Sequence, residues 1–133
     1  MNANPTKQET DFVRKSLAQF NNAQVGEDGH APIALVEYDE NGAVIGGILG
    51  GTSWGWMYID ILWVDEKHRK QGIGTKLLLA AEKEAVRRGC HHVHVDTMSW
   101  QAPAFYQKHG YAVIGVLPDI PRGNQKYLLT KAL

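Results

Sequence analysis

The stretch Arg69-Lys70-Gln71-Gly72-Ile73-Gly74 separates an apolar segment of strand character from a segment with helical periodicity. It is basic, it contains two glycines, and it leads directly into a helix N-terminus. Glycine allows a ligand to approach the main chain closely, and the first amides of a helix have no partner inside it. These features predict an anion site in which several amides, with Arg69 and Lys70, hold a pyrophosphate. The alternative is an ordinary loop whose glycines serve only the turn.

Two common phosphate-binding motifs do not fit this turn. A Walker A loop requires Lys followed by Ser or Thr after its last glycine, whereas this chain has Gly74-Thr75-Lys76. A dinucleotide fingerprint requires a third glycine at position 77, which is Leu77, and it opens the first βαβ unit. The turn is therefore not expected to bind a nucleoside triphosphate or a dinucleotide.

The elements around the turn predict an α+β fold. Apolar side chains recur every three or four positions from residue 72 to about 88, which indicates a helix. Upstream we expect a helix over 6–20, which Asn21 and Asn22 end. Strands are expected over 33–38 and 43–49, joined by an Asn-Gly hairpin turn. A loop or bend over 50–53 and a strand over 56–64 follow. Downstream we expect a strand over 91–96, a helix over 102–109, and strands over 111–117 and 125–129. Because the long helix returns the chain for a parallel neighbour, the sheet should be mixed.

Composition limits the class of protein. The 133 residues are 44% hydrophobic and 21% charged, which is typical of one compact domain spanning residues 1–133. Fourteen Lys and Arg balance fourteen Asp and Glu, which argues against nucleic-acid binding by counterion release. No apolar run approaches the roughly 20 residues that cross a bilayer, so no membrane association is expected. The single cysteine, Cys90, indicates a reducing compartment, and we expect the cytoplasm.

Two sequence blocks together resemble the GCN5-related N-acetyltransferase (GNAT) superfamily. The first is Arg69-Lys70-Gln71-Gly72-Ile73-Gly74, which is similar to the family signature of Gln or Arg, two residues, Gly, one residue, and Gly or Ala. The second is the segment 102–111, Ala-Pro-Ala-Phe-Tyr-Gln-Lys-His-Gly-Tyr. The resemblance covers roughly residues 30–133. It implies a splayed mixed sheet flanked by helices, with acetyl-CoA as the acetyl-donor substrate between strands 56–64 and 91–96.

The resemblance also implies roles for individual residues. The amides from Lys70 to Thr75 would hold the pyrophosphate, and the main chain of Leu62 and Val64 would contact the acetyl and pantetheine portions. Ser99 stands where many members have an Asn that contacts pantetheine, so that contact is expected to be shortened or lost. Tyr106 matches the usual general acid, with core packing as the alternative. The strand that usually precedes the first helix is expected to be vestigial or absent.

Acetyl transfer to an amine needs a group that takes a proton. Strict alternation along strand 56–64 would place Tyr58, Asp60, Leu62 and Val64 on one face. The resemblance implies that this face carries the acetyl group, so Asp60 is a candidate to accept the proton or to hold the cationic amine, and pairing within the sheet is its alternative role. The family's basic glutamate corresponds to Tyr58. Trp54, Trp100 and Tyr58 are candidates for an acceptor pocket.

Histidines and the cysteine suggest less. His92 and His94 share a strand face next to His91, but no carboxylate or cysteine stands at a convincing ligand spacing, so no metal site is expected. Cys90 is expected to be a packed side chain.

The sequence thus predicts an acetyl-CoA-dependent N-acetyltransferase that acts by direct attack of an amine in a ternary complex. The acceptor is the primary amine of a small molecule or of a protein. A module that binds CoA or acyl-CoA without catalysis is the alternative function. Homodimer formation is possible, with an exposed edge strand or the tryptophan-bearing loops as candidate contacts.

Overall fold

A computed structural model describes all 133 residues. Its order of elements is α1 (Lys7–Val25), β1 (Ala31–Tyr38), β2 (Val44–Ser53), β3 (Trp56–Val64), a short 3-10 helix (Glu66–His68), α2 (Ile73–Arg87), β4 (His92–Met98), α3 (Pro103–Lys108), β5 (Ala112–Pro118) and β6 (Gln125–Ala132). The six strands form one sheet in the order β1-β2-β3-β4-β6-β5. Only the β3–β4 contact is parallel. The predicted mixed α+β architecture is confirmed.

α1 is longer than predicted. Thr6 caps its N-terminus through a capping box with Glu9, and the helix ends only at Gly26, whose φ is +82°. Asn21 and Asn22 lie inside the helix and do not end it. No strand precedes α1, as expected from the departure from the family pattern.

β2 also extends beyond its predicted end. Residues 50–53, predicted as a loop or bend, continue the strand, and the hairpin turn falls at Trp54 and Gly55. Gly50 is required because the main chain of Tyr58 lies against it: a Cβ built on Gly50 would be 2.0 Å from the Tyr58 carbonyl oxygen, and a Cβ built on Gly51 would be 2.6 Å from the Tyr58 hydroxyl oxygen. A glycine pair therefore marks a close approach inside this strand.

The core lies between the sheet and α2. Its most completely buried side chains come from three central strands, from β6 and from the middle of α2: Ile48, Met57, Leu78, Val93 and Leu129. Tyr106 and Tyr111 complete the same cluster. None of the three α-helices combines the length and the apolar character that crossing a bilayer requires.

A buried polar network ties α2 to the last strand. Glu82, on the inner face of α2, accepts a 2.8 Å hydrogen bond from the hydroxyl of Tyr111. It also accepts hydrogen bonds of 2.8 and 3.0 Å from Nζ of Lys131. Burial, followed by the Glu82 contact, raises the pKa of Tyr111. The network fixes α2 over the sheet and thereby fixes the position of its N-terminus.

Candidate functional site

The parallel strands separate at one end. β3 and β4 pair from Trp56 with His92 to Ile59 with Val95, and both strands continue beyond that pair. Residues 61–64 of β3 pair only with β2, so the edge that faces β4 has no strand partner there. Such an edge can accept a ligand that pairs as an added strand. The sheet is splayed, and the splay opens a cleft between β3 and β4.

The glycine-bearing turn connects β3, at the open end of the cleft, to α2. The amides from Lys70 to Thr75 have no acceptor within the chain. Lys70 and Gly72 both adopt positive φ, at +63° and +80°, and Gly72 is the N-cap of α2. Its conformation explains the glycine, and a Cβ built there meets nothing within 4 Å. A run of free amides at a helix N-terminus suits a negatively charged group.

Three side chains between β3 and this turn make hydrogen bonds: Asp65, His68 and Arg69. The Asp65 carboxylate lies 2.8 Å from Nδ1 of His68, and this contact lowers the pKa of Asp65. The guanidinium of Arg69 donates a 3.2 Å hydrogen bond to the carbonyl of Val64. Arg69 therefore lies along the end of β3, and it is exposed, as are Lys70 and Gln71.

α3 packs against the start of α2 on the same face of the sheet. A Cβ built on Gly74 would lie 3.6 Å from the ring of Phe105, and Oγ1 of Thr75 lies 3.1 Å from Nε2 of His109. Both contacts join the two sequence blocks in space. The glycine-bearing turn and the helix that carries Tyr106 thus lie side by side along the cleft.

The Tyr106 side chain is buried, but its hydroxyl is not sealed. Only 5% of the residue is exposed. Its hydroxyl has no hydrogen-bond partner in the chain, and every fully buried side-chain polar atom of the chain has one. The hydroxyl oxygen is therefore in contact with solvent. Burial, and then the charge of Asp96, raise its pKa to about 12. Tyr106 therefore keeps its proton at neutral pH and has a free hydroxyl to donate.

The predicted alternation along β3 is wrong at Asp60. The register against β2 passes from Leu49 with Ile61 to Gly50 with Ile59, so Asp60 is an extra, bulged residue. The bulge reverses the phase: Leu62 packs against the core on the same side as buried Ile59, while Tyr58 lies on the opposite face. Asp60 is exposed and has no hydrogen-bond or ion-pair partner in the chain. The alternative of a carboxylate paired within the sheet is therefore not observed.

Asp96 is a candidate site residue that the sequence analysis did not consider. It is the first residue of β4 beyond the last pair with β3, as Asp60 is in β3. The two carboxylates thus flank the point where the strands diverge. The available signal was the predicted parallel pairing of the two strands. A register that pairs Ile59 with Val95 places Asp96 directly across from Asp60.

A shallow cavity of about 380 Å³ lies at the paired end of β3 and β4. It is lined by Ser53, Trp54, Trp56, Tyr58 and His94. Trp54 has a φ of +48° in the tight β2–β3 turn, where Asn or Gly is usual, so a bulky residue is held in a strained conformation at the cavity rim. His30 lies 2.8 Å from the Tyr58 hydroxyl and orients that ring.

Trp100 and Ser99 lie apart from this cavity. Trp100 follows the far end of β4 and is exposed, so the structure does not bring it together with Trp54 and Tyr58. The Ser99 hydroxyl lies 3.4 Å from Oδ1 of Asn124 and accepts a 3.2 Å hydrogen bond from the amide of Gln125. Ser99 thus anchors the β5–β6 loop at the open end of the cleft.

The remaining reactive side chains form no further site. The structure brings together no group of three or more His, Cys, Asp or Glu side chains that could hold a metal ion. His92 stacks on Trp56 with ring centroids 4.6 Å apart. Cys90 is buried, and burial raises the pKa of its thiol, as expected for a packed side chain.

Comparison with known proteins places this geometry in context. A sequence model described as the acetyltransferase (GNAT) family matches residues 3–111. Acetyltransferase Atu2258 of Agrobacterium fabrum is 36% identical over 119 residues, which are 90% of this chain and 87% of that protein. Blasticidin-S acetyltransferase of Streptomyces morookaense is 41% identical over 95 residues, which are 71% of this chain and 70% of that protein.

Solved structures agree over the whole chain. A crystal structure of an acetyltransferase from Bacillus cereus has a TM-score of 0.93 at 34% identity, covering 100% of this chain and 97% of that one. An aminoglycoside 6'-N-acetyltransferase complexed with coenzyme A shares the fold, with a TM-score of 0.68 at 18% identity, covering 99% and 97% of the two chains.

Proposed function

Because the chain belongs to the acetyltransferase (GNAT) family, we propose that it transfers the acetyl group of acetyl-CoA directly to the primary amine of a small molecule, within a ternary complex. Acetyltransferase activity is shared by its close relatives, and members of the fold bind CoA. The proposal adds the amine acceptor, the direct attack and the residues that carry them. The observation that carries it most directly is the run of free amides beside the splayed strands.

The residues of the cleft suit coenzyme A in charge and in the main-chain groups that they leave free. The amides from Lys70 to Thr75 would hold the pyrophosphate, with Lys70 free to add its charge. The open edge of β3 offers the main chain of Leu62 and Val64 to a pantetheine arm, although the Val64 carbonyl already accepts a bond from Arg69. When bound, acetyl-CoA supplies the activated thioester.

Asp60 would receive the amine. A lysine-like amine with a pKa of about 10.4 is neutral in only about one molecule in a few thousand at pH 7, so a proton has to be removed before attack. The Asp60 carboxylate is exposed, unpaired, and next to the divergence of the strands. It holds the cationic amine there and takes its proton directly or through water.

Tyr106 would supply the proton that the departing thiolate needs. The pKa of Tyr106, about 12, keeps its phenol protonated at working pH, and its unpartnered hydroxyl hydrogen-bonds to the departing sulfur. As the C–S bond breaks, the phenol passes its proton to the thiolate, and the second proton of the amine, released as the amide forms, restores the phenol directly or through water. Most of the rate gain would come from holding amine and thioester in line.

The cavity at Trp54 and Tyr58 favours a small acceptor. Its volume of about 380 Å³ lies in the range of small-molecule sites, and its lining is mainly aromatic. Aromatic faces attract an ammonium group before it loses its proton. Tyr58 and His94 lie two residues before Asp60 and Asp96 on their strands, so a molecule in the cavity extends toward the proposed reaction centre.

The decisive experiment measures thiol release from acetyl-CoA with a panel of acceptors. The panel contains a nucleoside antibiotic with a primary amine, simple diamines, an aminoglycoside, and a peptide with a free N-terminus. Turnover with a small amine supports the proposal, and turnover restricted to the peptide contradicts its acceptor class. Calorimetric binding of CoA without turnover on any acceptor would favour the alternative, a binding module that is not catalytic.

A further inference from the structure

α1 is a helix without a partner in its own chain. None of its 19 residues is buried. Phe12, Val13, Leu17 and Phe20 form one apolar stripe, and each is between 61% and 71% exposed. Most of the stability of a helix in a protein comes from tertiary packing of its apolar face. Its stripe therefore requires a surface to cover it.

The face of the sheet opposite α2 is also uncovered. Val36, Leu49, Ile61 and Trp63 lie on that face of β1, β2 and β3, and each is between 41% and 52% exposed. Leu49 is paired with Ile61, and Gly47 lies between Val36 and Trp63 in the next row. Because glycine has no side chain, the row has a depression between two large apolar groups. A helix can therefore pack against this apolar sheet face, with one of its side chains in the depression.

The chain does not bring its own stripe and its own sheet face together. The segment that links them is held on the sheet: the carbonyl of Asp28 accepts a 2.7 Å hydrogen bond from the amide of Trp54, and His30 lies 2.8 Å from the Tyr58 hydroxyl. The superposition on the Bacillus cereus acetyltransferase covers 100% of this chain with a TM-score of 0.93, so α1 has the same placement there. If the 19 residues of α1 lay elsewhere in that structure, they would add almost nothing to the TM-score, and a score of 0.93 over 133 residues could not be reached.

We propose that a second copy of this chain covers both surfaces, with α1 of each copy lying on the apolar sheet face of the other. In a twofold arrangement, α1 of the first copy covers the sheet face of the second, and α1 of the second covers the sheet face of the first. No apolar stripe and no apolar sheet face is then left uncovered. Four large apolar side chains lie on each of the two faces, and their removal from water favours association of the two chains.

Charge favours a protein surface over a lipid surface for α1. The helix carries Lys7, Arg14 and Lys15 against Glu9 and Asp11, so its polar face is mixed in sign. Amphipathic helices that lie on anionic membranes are rich in Lys and Arg on that face. The complementary apolar face on the same chain makes a second copy the fitting occupant.

Light scattering on size-exclusion fractions of the full chain tests the proposal. The wild type should have twice the mass of 14.8 kDa, and Leu17→Glu and Leu49→Glu should each return it to 14.8 kDa. Both positions are exposed within one chain, so circular dichroism should show an unchanged fold. Ala18→Glu adds the same charge on the opposite side of α1 and should leave the dimer intact. A monomeric wild type, or a dimer that survives either Leu variant, overturns the proposal.

Cross-linking distinguishes the partner's sheet from the chain's own. The double variant Leu17→Cys with Leu49→Cys, treated with a short bismaleimide, should give a bridged species of two chains on a denaturing gel. Single-cysteine variants give the background. A bridge within one chain, or no bridge above background, contradicts the exchange of α1 between copies. Sedimentation of a monomeric wild type with anionic vesicles would assign α1 to lipid and overturn the proposal as well.

Discussion

Asp60 and Asp96 occupy equivalent positions on two parallel strands, each directly after the last pair that joins β3 to β4. One carboxylate belongs to a bulge and is free of partners, whereas the other lies close enough to Tyr106 to raise its pKa. The divergence of the strands therefore places a candidate proton acceptor and the electrostatic neighbour of a candidate proton donor at one point.

Replacement of Tyr106 by Phe should lower turnover and leave binding unchanged. The hydroxyl has no partner in the chain, so its loss costs no internal hydrogen bond. Loss of a general acid reduces rates by about 10²–10⁴-fold. Steady-state thiol release with the acceptor found in the panel measures the effect, and calorimetry measures acetyl-CoA affinity. Tyr38→Phe, on an exposed edge strand, is the control. Undiminished turnover in Tyr106→Phe would remove the proton-donor role.

Tyr106 also predicts a pH dependence of stability. Its folded pKa of about 12 lies above the ordinary value of 10, so the folded state holds the proton more tightly. The resulting stabilisation is complete below pH 10 and is lost as the pH rises from 10 toward 12. Denaturant unfolding of the wild type should show a steeper loss in this window than unfolding of Tyr106→Phe. Equal slopes would mean that the phenol is not buried as described.

Asp96→Asn should lower the pKa of Tyr106 without returning it to 10. Burial is the larger cause of the shift and the Asp96 charge the smaller one, so only the second part is removed. Ultraviolet titration of wild type, Asp96→Asn and the doubly substituted Asp96→Asn, Tyr106→Phe protein isolates the transition of this tyrosine. An unchanged pKa would show that Asp96 does not act on it.

Gly72→Asp should weaken acetyl-CoA binding by about tenfold or more, equivalent to about 1.4 kcal/mol. It places a carboxylate beside amides that are proposed to hold a diphosphate. Gly42→Asp is a matched control, because Gly42 has a φ of +81° and open space around its Cβ position, as Gly72 does. Each variant loses stability from the left-handed conformation, about 1–2 kcal/mol. Calorimetric titration should separate them, and equal affinities would exclude the turn as the diphosphate site.

Glu82→Ala should reduce the free energy of unfolding by about 3 kcal/mol. It leaves the Tyr111 hydroxyl and the Lys131 ammonium without their shared partner in a largely buried place. Urea unfolding measures the change, with Lys83→Ala, exposed on the same helix, as the control. A change as small as that of the control would show that water replaces Glu82 without cost.

Periodicity and turn chemistry predicted the elements and the mixed sheet because those signals are local. The range of α2 and the Asp39–Gly42 turn could be read within one or two residues. The bulge at Asp60 could not be predicted, since it depends on the close contact between Gly50 of β2 and the main chain of Tyr58 in β3. Strict alternation therefore placed Tyr58 on the wrong face.

The candidate site divides in the same way. The turn and Tyr106 are carried by contiguous motifs, and the structure brings their helices into contact through Gly74 and Phe105. Asp96 was not considered, and Trp100 was grouped with Trp54 and Tyr58, from which it lies apart, because both positions depend on the length over which β3 and β4 pair. That length is a property of the whole sheet.

The short β3–β4 seam divides the sheet into two antiparallel halves, β1-β2-β3 and β4-β6-β5, which share little main-chain bonding. Each half is held by antiparallel hydrogen bonds between strands that lie next to each other. The two halves are held to each other mainly by the core side chains of α2 and α3 that pack against the sheet. A ligand that pairs along the open edge would lengthen the seam and lock the halves together. Amide hydrogen exchange at the seam should therefore slow far more on loading than exchange in either hairpin.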